Sequence, residues 1–175
     1  MPQFVHLADD RDTALIRKNG IKAQKLHGRG SKVVFATPVL QDYYQSHQWL
    51  RELRRLGIKV ISAVQFHVPD DTEVSVGRYN KEHVQTTAAD AVRIFMEHSS
   101  GMGLEVLFTG SIPPDWITRT YTPDQVVGWR YYPESHSDGR KPCGCSYCQR
   151  GQIKNRKLRE AYDREQAQRF PSETE

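Results

Sequence analysis

The sequence predicts an α+β domain on three observations. Short β-prone runs recur along the chain, helical periodicities stand between several of them, and one pair of runs is joined by the tight turn Pro69-Asp70-Asp71. At 175 residues the chain suits one domain with a genuine core and a small appendage. A hydrophobic content of 37% beside 26% charged residues excludes a disordered chain. No apolar run approaches membrane-spanning length, so no membrane partner is expected. The opening Met-Pro-Gln-Phe-Val-His lacks the basic and apolar regions of a signal peptide, which predicts a cytoplasmic location.

In chain order, Phe4 to Ala8 reads as a first strand, and Asp9 or Asp10 caps a short helix that Asn19-Gly20 stops. A glycine-rich loop around Gly28-Arg29-Gly30 precedes a second strand, Lys32 to Thr37. Beyond Pro38, Trp49, Leu53 and Leu56 fall at helical spacing with Gly57 at the end, and Tyr43 and Tyr44 lie in the first turns. Ile58 to Val68 is apolar on both faces and reads as a central strand, with Glu73 to Val76 running back beside it. Glu73, Arg78 and His83 read as surface residues of that hairpin. Thr87 with Asp90 resembles a capping box for a helix burying Ala88, Ala91, Val92, Phe95 and Met96. Val126 to Tyr132 reads as a last β-prone segment.

The stretch that organises the chain is Leu104 to Ile117. Val106, Leu107 and Phe108 form a buried strand closed by Gly110 and Pro113-Pro114, yet Glu105 stands at its mouth with no counter-charge beside it. Either strand alternation turns Glu105 to solvent, or a group distant in sequence compensates it.

A second signal lies at Cys143-Gly-Cys145-Ser-Tyr-Cys148, preceded by His136. Three thiolates so close suit one zinc ion, and His136 supplies a fourth ligand for a closed, structural site; three reduced surface thiols are the alternative. From Gly128 to Arg159 eight Lys/Arg against two Asp/Glu give +6, and the whole chain is +4, so the rest carries about −2 by subtraction. Arg140, Lys141, Arg150, Lys154, Arg156, Lys157 and Arg159, interleaved with Tyr131, Tyr132 and Tyr147, suit phosphate contacts and base stacking in DNA or RNA; a solvated helix face is the plain alternative. The expected division is 1–132 as the core and 133–170 as the zinc-type cluster with its basic helical segment.

The order of these pieces resembles the ADP-ribosyltransferase fold, in the branch of the poly-ADP-ribose polymerases, the RNA 2′-phosphotransferases and the DNA-modifying ADP-ribosyltransferase toxins. The resemblance spans Phe4 to Arg130. It is carried by Val5-His6-Leu7, by Val34-Phe35-Ala36 with Tyr43 and Tyr44 beyond, and by Glu105-Val106-Leu107 running to Ile112-Pro113-Pro114-Asp115-Trp116-Ile117. It implies a split β core with flanking helices and NAD as substrate. His6 would bond a ribose hydroxyl of NAD, Tyr43 or Tyr44 would stack on nicotinamide, and Glu105 would hold the 2′-hydroxyl of the nicotinamide ribose. Arg29, in its flexible loop, is a candidate for the pyrophosphate or is simply solvated. Val34 stands where the polymerase branch has tyrosine, and no Gln/Glu-x-Glu toxin motif is present. The expected function is therefore an ADP-ribosyltransferase acting on a nucleic acid or a 2′-phosphorylated RNA. The alternative is a non-catalytic, zinc-stabilised nucleic-acid-binding module.

Overall fold

A computed structural model of the chain describes residues 1–25, 32–55, 57–98, 101–129, 153 and 156–169. Two compact units emerge, Met1–Lys141 and Pro142–Glu175. The first is α+β. Its strands are β1 (Gln3–Asp9), β2 (Gln24–Lys25), β3 (Lys32–Pro38), β4 (Ile61–His67), β5 (Glu73–Arg78), β6 (His83–Thr87), β7 (Leu104–Thr109) and β8 (Ile117–Tyr121). Its helices are α1 (Thr13–Asn19), α2 (Tyr43–Ser46), α3 (Leu50–Arg55) and α4 (Ala88–Glu97), and the second unit carries α5 (Arg156–Arg169). The strands form a sheet in the order β6-β5-β7-β3-β1-β4-β8, with β2 attached to β3, and every pairing between these strands is antiparallel.

One pairing is much shorter than its neighbours. β1 matches β4 along its whole length, from Gln3↔His67 to Asp9↔Ile61. Against β3 it matches only at Phe4↔Pro38 and Val5↔Thr37. Past Val5 the two strands part, leaving a seam down the middle of the sheet. Three phenylalanines tie the halves together on one face. Phe4 on β1 meets Phe108 on β7 edge-on with centroids 5.0 Å apart, Phe66 on β4 meets Phe108 at 5.4 Å, and Phe4 stacks with Phe66 at 6.0 Å. These geometries add aromatic attraction to the area each ring buries.

The same face receives α4, whose Ala88, Ala91 and Phe95 join Val34, Val74, Val76, Val106 and Phe108 in the main core. Thr87 caps α4 through its hydroxyl, which accepts from the Asp90 N–H at 3.2 Å, as the capping pattern predicts. Met96, expected in the buried stripe, is 71% exposed, because the helix touches the sheet along a narrower band. On the opposite face a smaller cluster joins Leu50 of α3 to Ile61 and Val127, with Leu7, Leu53 and Ile58 around it.

Several expectations are corrected. The single helix expected after Pro38 is two short ones, α2 and α3, with a break at 47–49. There Gln48, fully buried, accepts from the Gly103 N–H and donates to the carbonyls of Gln45 and Gly101, and the Trp49 indole donates to the Leu104 carbonyl. These bonds fix the turn that leads into β7. Gly128 completes the lock, since a Cβ there would lie 2.3 Å from the Gln48 carbonyl oxygen. The segment after Pro69 does not return to β4; β5 pairs with β6 and β7 on the far side of the seam. Among the described residues the last strand is β8, residues 126–129 form no strand, and 130–132 of the expected segment lie outside the described residues. Among the described residues no helix is long and apolar enough to cross a membrane.

Candidate functional site

Glu105 takes its place from strand alternation. On β7, Leu104, Val106 and Phe108 face the main core, so Glu105 and Leu107 face the other way. Glu105 is nonetheless only 6% exposed, which rules out the reading in which alternation delivers it to water. Directly across from it on β5 stands Gly77, and across from Gly77 on β6 stands His83. A Cβ on Gly77 would lie 2.7 Å from the Glu82 carbonyl oxygen and 2.8 Å from His83 Cγ. The missing side chain lets the imidazole lie over β5 and reach the carboxylate, with Nε2 3.1 Å from Oε1. The two side chains are 4% and 7% exposed. His83 is therefore no surface residue of the hairpin but the distant partner that Glu105 needs.

His6 occupies the seam. It is the first residue of β1 beyond the last pair with β3, and its Nδ1–H donates to the Phe35 carbonyl oxygen at 2.7 Å, a side-chain bond where the backbone ladder has stopped. Loss of water around the ring lowers its pKa below that of ordinary imidazole, and the bond to Phe35 works the other way. The ring is thus neutral near pH 7, with Nδ1 protonated and Nε2 an acceptor.

The remaining predicted residues divide. Asp42 caps α2 by accepting from the Tyr44 and Gln45 N–H groups. Tyr43 is committed to structure: its ring stacks on His47 at 4.0 Å and its hydroxyl accepts from the Asp124 N–H at 2.9 Å. His47 in turn accepts from the Tyr121 hydroxyl at 2.7 Å, and burial keeps its pKa low despite its bond to the Tyr43 carbonyl. Tyr44 is 61% exposed against 39% for Tyr43, so its ring is the more open to solvent. No contact joins His6 to Glu105. Alternation assigns His6 to the side of Phe4 and Glu105 to the opposite side, with β3 between their strands.

Comparisons with known proteins give no anchor: no family model matches the chain, nor does any curated protein or solved structure.

Arg29, His136, Arg140, Lys141, Cys143, Cys145, Cys148, Arg150 and Lys154 lie outside the described residues, and so do the side chains of Arg156 and Arg159. Lys157, on α5, is exposed. Among the described residues no group of three His, Cys, Asp or Glu side chains is placed to hold a metal ion, and that set does not include the cysteines.

The residues that sequence reasoning missed are Gly77 and His83. Their signal was present as a glycine inside a strand pattern, which marks close approach of another group. The register that aligns Gly77 with both Glu105 and His83 is what gives it meaning.

Proposed function

We propose that the chain is an NAD-dependent ADP-ribosyltransferase-like enzyme acting on a nucleic acid or a 2′-phosphorylated RNA, built on a split β core. The observation that carries this reading is a buried carboxylate, Glu105 on β7, held by a distant histidine on the edge strand β6, in a sheet that opens between β3 and β1. Cleaving the bond between nicotinamide and ribose builds positive charge on the sugar. A fixed carboxylate beside that carbon stabilises the transition state more than the ground state.

In this reading the nicotinamide ribose of NAD lies against Glu105. His6 offers a neutral Nε2 to a ribose hydroxyl, Glu105, on the strand beyond β3, takes the 2′-hydroxyl of the nicotinamide ribose, and exposed Tyr44 stacks on the nicotinamide. His6 and Glu105 stand on opposite pleats with β3 between their strands, which counts against one NAD touching both; the reading is supported by Glu105 and its buried partner. The basic C-terminal segment supplies the nucleic-acid contacts, with zinc pinning the cysteine cluster beside it.

The test is nicotinamide release and transfer of labelled ADP-ribose from NAD to DNA and RNA oligonucleotides. Wild-type protein is expected to do both, and Glu105→Gln to lose about 10²–10³-fold in each while remaining folded. Full activity in Glu105→Gln would overturn the proposal, as would NAD bound away from Glu105.

A further inference from the structure

Both ring nitrogens of His83 face oxygen. Nδ1 is 2.9 Å from the carbonyl oxygen of Lys81, which only accepts, so Nδ1 carries a hydrogen. Nε2 is 3.1 Å from Glu105 Oε1, and a carboxylate oxygen also only accepts. A neutral imidazole has one N–H and has spent it on Lys81. The second contact therefore requires one more proton, carried by Nε2 or by the carboxyl group, and that proton lies between the two side chains.

We propose that His83 is a positioning residue for Glu105: the shared proton fixes Oε1 toward β6 and leaves Oε2 as the oxygen presented to a substrate hydroxyl. The proposal rests on Glu105 being the catalytic carboxylate. Two further features support it. The pair is assembled by a glycine at the one place where a Cβ would push the ring away. His83 also forms part of the wall of an open groove of about 400 Å³ on the same face, floored by Val33 and Leu107 and edged by Ser75, Gln85 and Thr109. The imidazole thus stands between the carboxylate and the solvent of that groove, keeping Oε1 from being rehydrated.

The consequence is a division of labour. Losing His83 frees the carboxylate to rotate without removing any group that binds NAD. In the full chain, His83→Ala is expected to lower kcat for nicotinamide release by about 100-fold, with KM for NAD little changed. His83→Gln, whose side-chain N–H still donates, is expected to recover about tenfold of that loss. Nitrogen-resolved NMR of the His83 ring supplies a readout independent of turnover. The Nε2 signal of the wild-type protein is expected to report a shared proton and to shift in Glu105→Gln.

Wild-type kcat in His83→Ala, or an Nε2 signal indifferent to Glu105→Gln, would overturn the proposal. So would equal losses in the Ala and Gln variants. A wild-type protein that releases no nicotinamide sinks the transferase reading instead, and the Nε2 signal then still decides whether His83 fixes the carboxylate.

Discussion

Two carboxylates are buried among the described residues, and they are neutralised in different ways. Glu52, on α3, is 3% exposed and meets the Arg55 guanidinium one turn along the same helix, with Nε 2.9 Å from Oε1. Glu105, 6% exposed, meets an imidazole that is distant in sequence and two strands away. A guanidinium is charged at every accessible pH, so Glu52 and Arg55 form a fixed anchor that lets α3 pack against the sheet. The Glu105 partner is an imidazole brought in across β5, so this pair is held by strand register and not by helix spacing.

That contrast is broken most directly by removing each acid in turn. Glu105→Gln is expected to cut NAD turnover by about 10²–10³-fold, and Glu52→Gln to leave turnover unchanged, measured by nicotinamide release alongside thermal melts. Equal effects on turnover would erase the distinction. The next largest effect belongs to Gly77→Ala. Its methyl group would press on the Glu82 carbonyl and the His83 ring, destabilising the fold by about 1–3 kcal/mol and lowering turnover toward that of His83→Ala. Crystal structures of the variant would show whether the imidazole has left Oε1, and an undisturbed contact would show that the glycine is incidental.

Arg55→Ala tests the other pair. Because Arg55 is 35% exposed and water screens it, a loss of only about 1 kcal/mol is expected in chemical denaturation, with no change in turnover. The smallest effect concerns pH. Burial lowers the His6 pKa below its ordinary 6.5, so the unfolded chain takes up a proton that the folded chain resists. The His6 contribution to stability is complete above that ordinary value and is lost as pH falls through it toward the lowered one. His47, shifted the same way by burial, adds to the decline. Melting temperatures between about pH 7 and about pH 5 are expected to fall less in His6→Gln than in the wild type, and parallel curves would remove His6 from the account.

The elements legible in the sequence were those with a local signature. β1, β3, β4 and β7 are apolar runs, Gly20 ends α1 with its N–H on the Ile16 carbonyl, and Thr87 caps α4. Of the three strands that escaped notice, β2 is a two-residue strand on β3, and β6 and β8 are the edges of the strand order. An edge strand such as His83–Thr87, with Val84 66% exposed, has less of each face to bury, so the hydrophobic alternation that marks a strand is missing.

The sequence by itself determined the α+β character, the apolar strands, the Thr87 cap of α4, the Gly20 stop of α1 and the suspicion attached to Glu105, because periodicity and capping act within a few residues. Tertiary structure alone decided that β5 and β6 lie beyond β7, that β1 and β3 part after Val5, and that His83 reaches over Gly77 to the carboxylate. Strand order and register follow from burying the whole sheet at once, and a buried charge finds its partner through that register rather than along the chain.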